Sequence, residues 1–310
     1  MARNRIALVA QRLVTIALVS IAIVYLSFLA MAIIESRDAQ PENLQLGELA
    51  AGAAKATVNY FRALFQGDLG TVTMTSGERA VGEVVWFAFR NSMALILIAV
   101  GGAAIIGLLL GTYAGLRPLK RREYTVLTLT LIGISAPAFL IAILLQAAGI
   151  KYTVTYGRQL VRMGGYGWDF KHLAMPLLVL AFRPLAYITR STFVGIRRIM
   201  REDYIRTAFS KGLRLSDTLL GHAYKNLGVP YLTAIAVSLR FSLSILPIVE
   251  FVFGWPGMGL GLLQAINNRQ PILVVTYALM IGLTFQFVNL ALDISYRLVD
   301  PRLRLPVEAR

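Results

Sequence analysis

Residues 202–213 read EDYIRTAFSKGL, a charged and regularly patterned dozen inside a strongly apolar chain. Glu202 and Asp203 stand where a helix N-terminus favours negative charge. Tyr204, Ile205, Ala208 and Phe209 then recur at i, i+1, i+4 and i+5, which is one helical face, while Arg206, Ser210 and Lys211 fall elsewhere. Gly212 is placed to stop the helix, because glycine accepts the left-handed conformation in which helices end. Further on, Ser216 and Asp217 are placed to cap a second helix with an apolar stripe of Leu219, Leu220, Ala223 and Leu227. Pro230 should end that helix and open the next apolar run. The pattern predicts two short amphipathic helices over about 200–229, meeting at a glycine. Such a pair either docks on a partner or lies on membrane headgroups, and the residues alone leave both open.

The surroundings decide the class of protein. Of the 310 residues, 57% are hydrophobic and 15% charged, with a mean hydropathy of +0.65. Soluble domains average about 45–50% apolar and about 25% charged residues. The chain has no cysteine, which excludes disulfides, thiolate metal sites and cysteine nucleophiles. His172 and His222 are 50 residues apart and form no metal-ligand spacing.

Six stretches approach or exceed the roughly 20 apolar residues that a transmembrane helix needs: 13–34, 92–115, 125–149, 174–194, 231–254 and 272–296. The first could be mistaken for a signal peptide, but its run of 22 residues exceeds the usual 7–15, so a retained anchor is expected. With the N-terminus inside, the inner segments 1–12, 116–124, 195–230 and 297–310 hold 18 Lys and Arg, against 10 in the longer outer segments. That asymmetry predicts both termini on the cytoplasmic side. The net charge of +15 then reads as a topology signal rather than as a nucleic-acid surface.

Within the first outer segment, 47–65 reads as an amphipathic helix with Leu49, Ala53, Ala56 and Tyr60 near one face, expected to lie on the outer leaflet. The second span carries Gly107, Gly111 and Gly115 at four-residue spacing, a pattern that lets helices approach closely in lipid. It fits packing within the chain or a subunit interface equally well. GMGLG (257–261) lacks the spacing and strand–turn–helix context of a dinucleotide loop. GxxxxGK[ST], HExxH and GxSxG are all missing from the sequence, which gives no support to a membrane enzyme.

Taken together, these stretches resemble the permease subunits of ABC importers, specifically the dipeptide/oligopeptide/nickel branch. That branch carries DYxRTAxxKGL followed by HAxxNxxxP; this chain has Asp203-Tyr204, Arg206-Thr207-Ala208, Lys211-Gly212-Leu213, then His222-Ala223, Asn226 and Pro230. GDLG (67–70), VEFVFGWPGMG (249–259), AINNRQP (265–271) and NLALDISYRLVDPRLR (289–304) fit the same branch, in order and over nearly the whole chain. The long segment after the first span and the terminal pattern look like the first of the two permeases in such systems. Two departures stand out: Gln270-Pro271 replaces an Asp-Tyr before proline, and the loop 150–172 is not the usual short Pro-Gly turn.

The resemblance implies an all-α polytopic membrane protein with the six-helix type I importer permease fold. It divides the chain into an N-terminal helix with its extracytoplasmic segment (1–91) and a core permease domain (92–310). It implies a bacterial or archaeal plasma membrane, a second permease, two ATPase subunits and an extracytoplasmic substrate-binding protein. ATP and magnesium would be bound by the ATPases, and this chain would hold neither cofactor nor metal. The segment holding Asp203, Tyr204, Arg206, Thr207, Ala208, Phe209, Lys211, Gly212 and Leu213 would be the coupling helix. Glu250, Trp255, Pro256, Gly257 and Gly259 would build a structural outer loop anchored by Glu250.

Arg183 and Arg240, near the middle of spans four and five, are candidate pathway residues favouring anionic groups; pairing with backbone carbonyls or a partner subunit is the competing reading. Asp293 and Arg297 are spaced for an i,i+4 ion pair. Di- and oligopeptides are the expected cargo. Nickel chelates, glutathione and oligosaccharides are alternatives within the branch, and a secondary transporter is the rival class.

Overall fold

The computed structural model describes residues 2–39, 46–74, 77–116 and 120–299, with side chains described over 11–37, 46–74, 77–116 and 123–295. Among these residues the fold is helical apart from one hairpin. In chain order, α1 (Ala2–Ala39) and α2 (Leu46–Gln66) precede strands β1 (Thr71–Met74) and β2 (Gly77–Ala80). Next come α3 (Val81–Leu116), α4 (Lys120–Ser135), α5 (Ala138–Tyr156), α6 (Phe170–Ile199) and α7 (Asp203–Ser210). The chain continues through α8 (Leu215–Thr218), a π turn (Leu219–Ala223), α9 (Tyr224–Phe253), α10 (Met258–Asn267) and α11 (Pro271–Val299). Among the described residues, six helical stretches are long and apolar enough to cross a membrane: 11–37, 81–116, 138–156, 170–199, 215–253 and 271–295.

The chain divides into two compact units, one of residues 1–92 with 256–287 and one of 93–255 with 288–310. In the first, α2 turns Ala53, Thr57 and Tyr60 inward. Tyr60 clusters with Val24 of α1 and with Val275 and Leu279 of α11, and its hydroxyl is bonded to Thr276 Oγ1 at 3.1 Å. The apolar face of α2 therefore packs on the chain's own helices instead of on an outer leaflet, with Tyr60 finding its hydrogen-bond partner there. GDLG (67–70) acquires a physical role. Gly67 takes the left-handed conformation that ends α2, and Asp68 Oδ1 accepts from Gly70 N at 2.9 Å, turning the chain into the unanticipated β1–β2 hairpin.

In the second unit, the glycine triplet of α3 meets α6. A Cβ on Gly111 would lie 2.6 Å from the Thr189 carbonyl oxygen, and Gly107 and Gly115 similarly face Ile188 and Ile196. These glycines serve packing within the chain, which resolves the alternative left open by their spacing.

The stretch 125–149 is not one helix. Ala136-Pro137 separates α4 from α5, with Pro137 extended (φ −64, ψ 130) at the start of α5. Proline lacks an N–H and pushes its predecessor out of the helical region, so an apolar run of adequate length is split.

Pro230, by contrast, ends nothing. Residues 215–253 are helical without interruption, and Pro230 and Pro247 lie inside α9. Membrane helices tolerate internal proline where neighbouring groups satisfy the freed backbone.

Candidate functional site

The segment 202–213 folds as an eight-residue helix with a glycine stop. Glu202 precedes α7 in extended conformation and Asp203 occupies the first turn. The Asp203 carboxylate sits 3.5 Å from Arg206, one helical turn on. Thr207 and Ser210 return their hydroxyls to the carbonyls of Asp203 and Arg206 at 3.0 Å each. At the end, Gly212 adopts φ +81; its N–H bonds to the Phe209 carbonyl (2.9 Å) and that of Leu213 to the Ala208 carbonyl (3.2 Å). These two bonds are the Schellman pattern, which satisfies carbonyls that a helix end would otherwise orphan.

The apolar face expected on α7 divides in two. Ile205 and Ala208 are buried, and Ile205 joins a cluster with Ile196 and Ile199 of α6, Ala223 of the π turn and Leu227 of α9. Burying one such isoleucine stabilises by about 1.5–3 kcal/mol, enough to seat a short helix with little stability of its own. Tyr204 and Phe209 remain 41% exposed, and Leu213 38%. Asn226 Nδ2 donates to the Tyr204 hydroxyl at 2.8 Å, tying α7 to α9. Arg206 and Lys211 are exposed. α7 is thus clamped by one face and offers aromatic and aliphatic side chains on the other.

The second helix differs from expectation at its start and on its face. It begins at Leu215 after an extended Arg214, so Ser216 and Asp217 lie in the first turn and cap nothing; Ser216 Oγ bonds to Asp217 Oδ1 instead (3.3 Å). The tight Gly212 turn delivers the chain into the helix two residues earlier than a Ser216 cap requires. Leu220, assigned to the stripe, is 68% exposed, whereas Thr218, Ala223 and Leu227 are buried. Leu220 lies two residues past the buried Thr218, about 200° round the helix, and a π turn follows. Its extra residue moves the inward position after Thr218 from 222 to Ala223, five residues on.

At the other end of α9, Gly254 (φ +61) makes a second stop of the same kind. Its N–H bonds to Phe251 O (3.3 Å), and that of Trp255 bonds to Glu250 O (2.8 Å). Glu250 and Trp255 are fully buried. Trp255 packs against Tyr166 and Trp168, with centroids 5.1 and 5.4 Å away, and Gly165 N donates to Phe253 O at 2.8 Å. Gln146 Nε2 reaches both Met163 O (2.8 Å) and Val252 O (3.1 Å), so the long loop after α5 is fastened to the end of α9. Asp169 caps α6 by accepting from the N–H groups of Lys171 and His172. The His172 ring donates to it at 2.6 Å and, with those amides, holds its carboxyl below the usual range.

The rest of the GWPGMG loop depends on residues that sequence reasoning missed. Asn91 Nδ2 of α3 donates to Pro256 O (3.0 Å), and Ser92 Oγ accepts from Met258 N (2.8 Å). The available signal was an Asn-Ser pair interrupting the apolar run FAFRNSMALI (87–96). Gly257 and Gly259 flank the start of α10; Gly257 precedes it in extended conformation and Gly259 is buried within it.

Arg183 and Arg240 both lie midway along their helices, but the structure separates their surroundings. Arg183 is half-buried with its guanidinium 4.0 Å over the Phe241 ring, and its Nε is buried without a hydrogen-bond partner among the described residues. It therefore stacks on α9 by a cation–π contact. Arg240, next to that phenylalanine, is exposed. Of the Asp293–Arg297 pair, the Arg297 side chain lies outside the described residues, as does DPRLR (300–304).

Comparison with known proteins gives this geometry a context. Residues 107–305 match the family of binding-protein-dependent transport system inner membrane components. A di/tripeptide transport system permease protein of Pseudomonas aeruginosa is 32% identical over 273 residues, covering 80% of each chain. A dipeptide transport system permease protein of Alkalihalophilus pseudofirmus is 29% identical over 79% of this chain and 80% of its own. A glutathione transport system permease protein of Salmonella choleraesuis is 30% identical over 79% and 78% respectively. The matched region takes in α7, its glycine stop and the loop after α9, and with six helices able to span a bilayer the chain belongs to the inner membrane permease components of binding-protein-dependent transport systems.

Proposed function

We propose that this chain forms half of the translocation pathway of an ATP-driven importer of di- or oligopeptides. A second permease supplies the other half, two ATPases drive it, and an extracytoplasmic binding protein delivers the cargo. The observation that carries the reading is the division of α7: Ile205 and Ala208 fix it to the chain's own helices, while Tyr204, Phe209 and Leu213 stay exposed. A helix seated on one side and apolar on the other transmits a partner's movement as a rigid body. Arg206 and Lys211 flank that face with polar contacts.

Peptides are favoured because relatives covering four-fifths of the chain carry peptide transport in their names. Glutathione is itself a tripeptide and stays within the class. We assign Arg183 and Arg240 to the pathway as groups favouring a peptide's carboxylate, since intramembrane cations usually face a cavity. Both termini lie in the cytoplasm on this reading, together with α7. ATP and magnesium belong to the partner subunits, in keeping with the missing phosphate-loop motif.

The test is Gly212→Val in the complete transporter reconstituted in liposomes. A β-branched residue at φ +81 should misplace the stop, lowering peptide uptake at least tenfold while ATP hydrolysis persists. Uptake at the wild-type rate would sink the coupling assignment. Because the chain has no cysteine, single cysteines at Lys211 and Trp168, probed with an impermeant thiol reagent, read the orientation directly. Labelling of Lys211→Cys from outside would overturn it.

A further inference from the structure

We infer that the cavity between α4 and the last turn of α6 is a binding site for the headgroup of an anionic phospholipid. It is an open-sided cavity of about 510 Å³. Leu127 of α4 and Phe193 and Val194 of α6 supply its apolar lining, and Arg198 and Arg201 line it as well. Arg198 lies in the final turn of the spanning segment 170–199, with Arg201 just beyond. The arginines therefore sit at the depth of lipid phosphates, and the apolar wall at the depth of the first acyl carbons.

The charges leave room for an anion. Glu123 is bound to Arg197, and that guanidinium, with Arg201 nearby, holds its carboxyl below the ordinary range. The pair is internally neutral. Arg198 and Arg201 form no ion pair among the described residues. Glu202 also lines the cavity, but it directly precedes α7, where the helix dipole partly offsets its charge. Arg198, and Arg201 beyond its longer-range attraction to Glu123, present guanidiniums suited to the paired oxygens of a phosphodiester. Val194 is 53% exposed, so the wall opens towards the hydrocarbon. A soluble phosphate would leave that wall unused, and an acidic protein surface would have to reach a recess at headgroup depth.

Native mass spectrometry of the purified full chain, with whatever subunits copurify, tests this after exchange against phosphatidylglycerol, phosphatidylcholine or glycerol 3-phosphate. Phosphatidylglycerol should be retained at least fivefold over phosphatidylcholine, with no retention of glycerol 3-phosphate. R198Q/R201Q should abolish that preference. R198K/R201K, which keeps the charge, should retain part of it and covers a failure of the first variant to assemble. Leu127→Ser should weaken phosphatidylglycerol retention through the wall alone.

Equal retention of phosphatidylglycerol by the wild type and both arginine variants would overturn the site. Retention of glycerol 3-phosphate would show that phosphate alone suffices and overturn the lipid. Loss of copurifying ATPases from R198Q/R201Q with phosphatidylglycerol still bound would give the cavity to a protein partner and overturn the lipid as well. The inference rests on the membrane-spanning reading but not on orientation or cargo, so its failure leaves the importer proposal standing.

Discussion

The chain uses one backbone device at Gly212 and again at Gly254, and the surroundings of the two stops have nothing in common. Both glycines are left-handed, at φ +81 and +61, and both are followed by a residue whose N–H closes the six-to-one bond. At Gly254 that residue is Trp255, fully buried beneath Tyr166 and Trp168. At Gly212 it is Leu213, 38% exposed, and a Cβ on the glycine would meet nothing within 4 Å. The stop at Gly254 is held by the chain's own packing. The stop at Gly212 is held by its hydrogen bonds and leaves its side chains for something else to cover. Identical local geometry therefore says where a helix ends; burial says whether that end serves the fold or a partner.

The contrast breaks most severely at Trp255. Trp255→Ala should cost about 3–5 kcal/mol, because the aromatic neighbours cannot close over the lost volume. A melting temperature of the detergent-purified protein within a degree of wild type would show that the stop does not depend on its packing. Gly254→Ala and Gly212→Ala sharpen the comparison. Each should cost about 1–2 kcal/mol from the left-handed backbone, since neither added Cβ clashes. Their stability losses should match, while only Gly212→Ala lowers coupled uptake per ATP hydrolysed; equal transport defects would erase the distinction.

Two carboxylates extend the comparison to pH. Glu123 is held low by Arg197, and Asp169 by His172 and two backbone amides. Depressed values mean that both contributions are complete above the unfolded carboxylate pKa of about 4 and fade as pH falls through the lower folded values. Glu123→Gln and Asp169→Asn should each lower thermal stability modestly at neutral pH and flatten the acid limb, converging on wild type below about pH 4, the effect being reduced by salt because both carboxylates are partly exposed. An unaltered acid limb in both variants would remove these pairs from the stability account.

The smallest effect concerns a third stop. Arg269 adopts φ +52 at the end of α10, where Gln270 N bonds to Ala265 O at 3.0 Å. Arg269→Asn should stabilise by a few tenths of a kcal/mol, as Asn tolerates that backbone better. Destabilisation would mean that the arginine's contacts outweigh its strain.

What the sequence made legible followed from local chemistry. Apolar runs marked the spans, and the spacing of Ile205, Ala208 and Gly212 marked a short helix with an inward face and a stop. Where a residue's role depended on a distant partner, the sequence was silent. Gly111 announced a close approach without naming α6, and Tyr60 announced an amphipathic face without naming Thr276. The split at Pro137 was readable from proline chemistry, but the length of the apolar run masked it. The π turn had no signal at all. The inward place of Ala223 was read from its stripe, but the five-residue step that the turn sets between Thr218 and Ala223 was not.

The unbroken course of residues 215–253 has a mechanical consequence. At about 1.5 Å per residue it makes a lever of roughly 58 Å. It is tied to α7 through Asn226 and Tyr204 about a third of the way along, and it ends under Trp255. A tilt of about 5° at that tie, taken over the roughly 40 Å from Asn226 to Phe253, displaces the far end by roughly 3.5 Å. No hinge loop is needed between the two ends. A small push on Tyr204 and Phe209 would arrive at the Trp255 loop as a movement the width of a water molecule or more, amplified by helix length alone.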